Sequence, residues 1–539
     1  MKRLILILIL GVGLFATAQA QYFFNKRETS HAFANTFTSV VPRDGKYYCT
    51  GIVWDSSNLL PSAASAYNIW GVQFVIFDSV GNVIKDSVYQ LPFVRNLYPW
   101  NNSLYSLPDK GFVLCVGQDG VDSTNHWRMM ILRYDSSGNV LWNKEYIETL
   151  CTDTIFYNVR DFKPTGTGEW LALATLAYPD LNGTQTDFVL SKLDSNFNIE
   201  WSKEYGDHTQ NDIADKLLIT DDGYVMGGGR SNYNVVIYAG FTDQAEIIKT
   251  DTAGNQQWIW LSDINKQTNT IQDIIQTPDG GYVYCGQGNG YETDFLGNGT
   301  LYYKGWVEKL DSGRNVLWND TFSATYSNTV YNSLNVLKLL PDSSIMIAGQ
   351  ITGGFDPIDT EDRNYGVLIK MNENGQVLWK RKYSYPNDTL VYEVFDMKPT
   401  LDSGFVFCGQ ADNQYNTQPL PNQRGWIVKV DSNGCMGPGD PNCMPVAVKV
   451  TSPGLSKGEV IVYPNPVTNS LTLSLSEGEG TARVLPAGVQ IFNIVGSLVY
   501  SGVMTENKMI ISTKDLSAGA YILRLTGRDG VVMISKIVK

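Results

Sequence analysis

"MMILRYDSSGNVLWNKEY", residues 129 to 146, reads as two short apolar runs around a tight turn, with a tryptophan four residues after the turn glycine. Such runs bounded by Asp, Ser, Gly and Asn predict two strands of a hairpin. Nearly the same phrase returns along the chain. Aligned on the residue that opens the turn, the copies stand at Asp78, Asp135, Asp194, Asp251, Asp311, Asn372 and Asp431, with spacings of 57, 59, 57, 60, 61 and 59. A phrase that repeats at a nearly fixed period is architecture, so chemistry is to be sought in what differs between the copies.

A second phrase precedes each copy: "DGKYYCTG", "DKGFVLCVGQ", "TGEWLALAT", "DDGYVMGGG", "DGGYVYCGQ", "DSSIMIAGQ" and "DSGFVFCGQ". Each unit of about sixty residues therefore supplies four strands, as in "SLNVLKLLP", "IMIAGQI", "YGVLIKMN" and "QVLWKRKY". Four-stranded antiparallel units repeated seven times predict an all-β protein, a seven-bladed β-propeller over 21–434. The seventh unit ends at "VKVDSNGCMGPGD" without its fourth strand. "FFNKRE" near the N-terminus matches "LWNKEY", with Phe24 in the tryptophan position, so this segment is expected to complete the last blade and cover an open edge.

Trp142, Trp201, Trp258, Trp318 and Trp379 recur at one outer-strand position, and a buried indole there would remove about 150–250 Å² from water, about 4–6 kcal/mol gross. They read as glue between blades. Lys85 takes that position in the first unit, so its seam should pack differently. The Asp-turn-Gly-Trp phrase resembles segments of quinoprotein propellers and the Asp box of sialidases, a likeness of hairpin chemistry in which Asp holds the turn.

The remaining composition bounds the function classes. Net charge is −13, without a Lys/Arg stripe, which argues against nucleic acid. A basic start, an apolar run from Leu4 to Phe15 and Ala18-Gln19-Ala20 read as a secretory signal peptide over 1–20, and no later stretch is apolar and long enough for a membrane helix. The Pro/Gly-rich segment 435–458 reads as a linker. Cys435 and Cys443, eight apart in an exported chain, suit a local disulfide contributing about 2.5 kcal/mol by loop entropy. Cys49, Cys115, Cys285 and Cys408 fall at one equivalent inner-strand position as small buried fillers.

From 459 to 539, "VIVYPNPVTNSLTLSL", "VQIFNIVGSLVYSG", "DLSAGAYILRL" and "KIVK" resemble the type A C-terminal sorting domain of the Bacteroidetes type IX secretion system. The resemblance implies a small β-sandwich, the type IX machinery as partner, and secretion to the outer cell surface or medium. It assigns Pro464, Asn465 and Pro466 to the opening turn, Gly496 to the central hairpin, and Gly519, Tyr521 and Lys536 to the closing strands. Asn493 stands where an Asp is common, a change that concerns a turn.

No nucleophile elbow, P-loop or dinucleotide fingerprint occurs, and His31, His126 and His208 lack metal-ligand spacing. The long loops all leave one face of the disc. That face is expected to carry Trp54, Trp70, Trp100, Trp127, Tyr291 and Tyr302 among amides and carboxylates, a composition suited to sugar faces or to protein hot spots, or to loops that merely pack on themselves. "DPIDTED" gathers Asp356, Asp359, Glu361 and Asp362, oxygen ligands of the kind that hold Ca²⁺, yet without EF-hand spacing; a solvated acidic loop is the commoner meaning. The reading is a non-catalytic surface module for an extracellular glycan or protein, without a cofactor. The alternatives are a polysaccharide hydrolase or lyase and a purely structural surface protein.

Overall fold

The computed structural model describes residues 23–28, 34–54, 70–91, 96–119, 128–146, 156–180, 183–206, 210–232, 244–263, 268–293, 299–322, 332–352, 364–385, 390–412, 423–437, 440, 448–450, 460–463, 467, 469–475, 487–493, 497–517, 519–526 and 532–539, some strand ends by backbone alone. The chain divides into two compact units, Met1–Met436 and Gly437–Lys539.

The first unit is a seven-bladed β-propeller. Its blades span 34–89, 96–146, 156–205, 210–261, 268–322, 333–383 and 391–430, the last completed by Phe24–Arg27. Their first strands are Ala34–Arg43, Asn96–Ser106, Phe156–Pro164, Gln210–Thr220, Thr268–Gln276, Ser333–Leu339 and Val391–Pro399, and each touches the first strands of both neighbouring blades, closing a ring about an axis. In blade 7, Phe24 pairs with Lys429 in the register that sets Trp379 opposite Lys370 in blade 6.

The repeated hairpin is built from its Asp. In blade 2, Asp135 Oδ1 accepts from the N–H groups of Ser137 at 2.9 Å and Asn139 at 2.8 Å, while Oδ2 accepts from the Asn139 amide. The same bonds recur at Asp78, Asp194 and Asp251. The N–H groups of Asn198 and Asn255 hold the Asp194 and Asp251 carboxyls below the usual range.

Each hairpin is then clamped by the blade before it. Phe24, Trp201, Trp318 and Trp379 lie over the turn glycines Gly81, Gly254, Gly375 and Gly434, 2.7, 2.8, 2.7 and 2.9 Å from where a Cβ would stand. Those glycines have φ of 76–80°, so both conformation and space require them. Where the turn carries a larger residue, Trp142 meets Phe197 edge-on at 5.6 Å and Arg314 lies over Trp258 at 5.0 Å. Tyr146, Tyr205 and Tyr383 donate to the turn carbonyls of Phe197, Gly254 and Gly434 at 2.6–2.7 Å. At the seam between blades 1 and 2, Lys85 Nζ replaces the indole by donating to Ser137 O at 2.9 Å and Asn139 Oδ1 at 2.6 Å.

The seam tryptophans are less buried than the sequence suggests. Trp142 is 39 % exposed, because the outer strand is a sheet edge and covers only one face of the ring. Trp426 is fully buried, and its Nε1 donates to Asn25 Oδ1 of the N-terminal strand at 2.7 Å.

The second unit is a β-sandwich of two four-stranded antiparallel sheets around Leu471, Leu473, Val489, Ile491, Leu523 and Leu525. Asn493 Oδ1 accepts from Ser497 N–H at 2.8 Å, the turn bond an Asp would make. Tyr521 donates to Ser517 O at 2.7 Å, and Gly519 exchanges two backbone bonds with Lys539.

Candidate functional site

The ring brings seven first strands to the axis, and six of them carry a one-residue bulge at an equivalent place: Thr38, Arg160, Asp215, Gln272, Asn335 and Phe395. The bulge explains a glycine in the second strand. A Cβ on Gly51, Gly228, Gly286, Gly349 or Gly409 would stand 1.6–2.1 Å from a first-strand carbonyl oxygen.

A bulge leaves backbone donors without ladder partners, and the residue just after it meets that need. In blades 3, 5 and 7, the Oδ1 atoms of Asp161, Asp273 and Asp396 accept from the next N–H of their own strand at 2.9, 3.0 and 2.8 Å. Their Oδ2 atoms cross to the following blade and accept from Leu217, Leu337 and Val40 N–H at 3.0, 2.8 and 2.9 Å. In blade 1, Ser39 Oγ plays the crossing part toward Ser103 N–H at 2.9 Å. The acceptors thus sit on alternate blades, and because seven is odd, two acceptor-bearing blades, 7 and 1, meet at the closure seam. Toward the tight-turn end, Lys163 and Lys398 pair with Asp161 and Asp396 at 3.2 and 2.8 Å, while Lys216 and Lys338 reach Asp161 and Asp273 at 3.7 and 3.8 Å. Burial opposes the Asp273 charge, yet Lys338, Lys216 and Lys163 hold its carboxyl below the usual range.

Blade 2 breaks the pattern. Four residues, Trp100 to Ser103, stand opposite Cys115 alone, between the pairs Pro99 with Val116 and Leu104 with Leu114. The enlarged bulge sets Trp100 against the inner end of the seam between blades 2 and 3, with the Arg160 guanidinium 5.0 Å from its ring centre. It also carries Asn102 to the axis, where its Oδ1 accepts from Lys398 of blade 7. At the junction of blades 1 and 2, Trp70 meets Tyr98 edge-on at 4.9 Å.

Three carboxyls toward the long-loop end are pushed upward. Burial raises Glu393 to about 7, against a hydrogen bond of 2.7 Å from Gln410. Burial raises Asp215, which accepts from Thr270. Burial and the neighbouring Asp212 raise Glu246 to about 8. Arg230 ties that pair, with Nε 2.8 Å from Asp212 Oδ1 and Nη2 2.7 Å from Glu246 Oε1, and both carboxylate side chains are fully buried. At the tight-turn end, a cavity of about 480 Å³ opens between blades 7 and 1 beside Tyr47 and Asp402, and one of about 610 Å³ between blades 2 and 3 beside Trp142 and Phe197.

Of the residues singled out from sequence, Trp54 and Trp70 are ladder partners in blade 1 and Trp100 lies in blade 2, one sector of the ring. Trp100 belongs to the first strand rather than to a loop, because the enlarged bulge keeps it in the ladder's span. Tyr291 and Tyr302 sit on facing strands of blade 5, opposite Leu301 and Gly290, away from that sector. Trp127, Asp356, Asp359, Glu361, Asp362, Pro464, Asn465, Pro466, Gly496 and Cys443 lie outside the described residues, as do residues 1–20. Cys435 is disulfide-bonded.

The four inner cysteines are buried and free, but they are not all equivalent. Cys285 and Cys408 pair with the post-bulge Asp273 and Asp396, whereas Cys49 pairs with Val40, one residue further on. A one-residue offset turns a strand side chain to the other face, so Cys49 packs into the same core as Cys408 of blade 7.

Two features escaped the sequence reading. Arg133, Lys192, Lys249, Lys309, Lys370 and Lys429 pair with the first-hairpin acids Asp109, Glu169, Asp222, Asp279, Asp342 and Asp402 of their own blades. A basic residue two before the turn Asp or Asn, in six of seven units, was the available signal. The axial acids had a weaker one, an Asp in "VRDFKP", "IQDIIQ" and "VFDMKP" but not in the other units.

Propeller and sandwich together define a two-part β protein. Residues 461–539 match the secretion system C-terminal sorting domain. The chain is therefore a type IX secretion substrate, destined for the cell surface or the medium. A curated relative, ulvan lyase NLR42 of Nonlabens ulvanivorans, is 35 % identical over 78 residues, 14 % of this chain and 14 % of that protein. Among solved structures, the α-L-arabinofuranosidase Arb93A of Fusarium graminearum is similar at 11 % identity over 64 % of this chain and 94 % of its own, with a TM-score of 0.38. The α-L-arabinanase of Penicillium chrysogenum is similar at 15 % identity over 64 % and 95 %, with a TM-score of 0.35.

Proposed function

We propose that the protein is a surface-displayed, non-catalytic propeller that binds a glycan at the aromatic sector of blades 1 and 2. The observation that carries this reading is the enlarged bulge of blade 2, which departs from six otherwise repeated strands to seat Trp100 beside Arg160, in the same strand whose Tyr98 meets Trp70 of blade 1. Aromatic rings with polar neighbours suit the apolar faces and hydroxyls of sugars. Against cleavage, the tight carboxylate pair Asp212 and Glu246 is locked on Arg230 and closed to solvent. The axial Asp oxygens are spent on backbone donors.

A polysaccharide-active enzyme is the second reading, favoured by Glu393, whose proton is held to about pH 7 as a general acid requires. Glycan-array binding with a panel of polysaccharides, read beside a reducing-end assay, separates the two. Retention without product release, lost in Trp100→Ala with the melting temperature kept, supports binding. New reducing ends that vanish in Glu393→Gln overturn it in favour of catalysis.

A further inference from the structure

The lower half of the channel carries more positive than negative charge. Four ammonium groups, on Lys163, Lys216, Lys338 and Lys398, face three carboxylates, on Asp161, Asp273 and Asp396. One ammonium charge is therefore left without a carboxylate of its own. Both oxygens of each carboxylate already accept backbone N–H groups, and Lys163 and Lys398 take the short ion pairs.

Lys163 and Lys398 are further satisfied by Leu217 O and Asn102 Oδ1. Lys216 and Lys338 are held more loosely. Their ion pairs with Asp161 and Asp273 are 3.7 and 3.8 Å long, beyond direct hydrogen-bond length, although the Lys216 side chain is only 6 % exposed. An ammonium has three donors and no acceptor, and burying it without hydrogen bonds is costly. These groups sit within electrostatic reach of one another. Burial works against the Lys216 charge, but Asp161, Asp273 and Asp396 together keep its pKa raised, whereas burial foremost, with the Lys398 and Lys216 charges, lowers that of Lys338 against the pull of Asp273 and Asp396, so a nearby anion would favour its charged form. Tyr105 of blade 2 feels the same three carboxylates, and burial foremost, with their charge, keeps its phenol protonated.

We propose that the lower channel is an anion site, in which a small monovalent anion such as a halide lies between Lys216 and Lys338. The anion neutralises the fourth ammonium and takes the donors that the aspartates leave unused. The position on the axis joins blades 4 and 6, two of the blades that lack an aspartate of their own at the post-bulge position. The bound ion thereby ties the even-numbered side of the ring as Asp161, Asp273 and Asp396 tie the odd.

Two measurements test this on the mature full-length protein. Crystals grown in sodium bromide should give an anomalous peak on the propeller axis beside both Nζ atoms; water density alone there overturns the proposal. In solution, the melting temperature of the unsubstituted protein should gain more from added sodium bromide than that of Lys338→Met, a comparison that cancels the general effect of salt and leaves preferential binding to the native state. Lys338→Met should keep a cooperative transition. Equal bromide responses in the two proteins would reject the site. Surface glycan binding is independent of it, so Lys338→Met is expected to retain any ligand of the blade 1–2 sector.

Discussion

Six blades and the second one solve the same problem at the axis in different ways. In the six, a single extra residue bulges, a glycine opposite makes room in five of them, and a post-bulge side chain or its neighbours satisfy the displaced backbone. In blade 2, four residues fill the same place, and the added length holds Trp100 and Asn102 where no repeat requires them. The difference separates residues kept by geometry from residues free to serve a ligand. It also shows why the first kind is numerous and the second scarce.

The largest losses are expected at the six bulged blades. Gly409→Ala would push a Cβ to 1.8 Å from the Glu393 carbonyl oxygen, so a loss above about 4 kcal/mol is expected, seen as a collapsed urea midpoint or insoluble protein. Asp396→Ala should cost about 3–5 kcal/mol by leaving Lys398 buried without its partner, whereas Asp396→Asn, which keeps an acceptor, should cost less in the same denaturation series. At the outer seams, Trp379→Ala should lose about 2–3 kcal/mol, the loss from a half-buried large side chain. Lys85→Ala, at the seam that uses hydrogen bonds from an exposed amine, should lose less than about 1 kcal/mol.

The smallest effect concerns pH. Glu393 and Glu246 hold protons in the folded state to about 7 and about 8, above the ordinary carboxylate range near 4. The folded chain then binds more protons than the unfolded one through that window, so stability falls as pH rises from about 4 to 8. The turn acids act oppositely. Lys309 and Thr277 help to hold Asp279 at about 2 against burial, and Ser344 and Lys370 hold Asp342 there, so their contribution is present above about pH 4 and lost as pH falls toward 2. Melting temperatures should peak between these windows, and Glu246→Gln should flatten the alkaline side; an unchanged slope in that variant would locate the effect elsewhere.

Much of this architecture was legible in sequence because each repeated residue has a local physical duty. The turn Asp binds N–H groups two and four residues on, and Trp201 needs Gly254 in the next unit, so both recur at the period of the blade. The axial site was harder to read. Asp161 acts on Leu217 and Lys398 on Asn102, across blades and across the ring, and neither pairing leaves a spacing that recurs. Trp100 was visible as an aromatic, but its place near the axis depends on a bulge whose length only the ladder register reveals.

The closing strand has a consequence for how the molecule is made. Trp426 and Asn25 are joined across 401 residues of sequence, so the ring is sealed by the longest loop the propeller contains. Loop-closure entropy grows only with the logarithm of length, and the seal therefore adds little to the equilibrium burden. Because loop-closure entropy must be met before a contact of such separation rewards it, this seal is expected to form late in folding. Until the seventh blade has emerged and its edge has captured Phe24, the nascent protein is an open spiral with two unpaired edges, and this interval is when it most needs protection from its own copies.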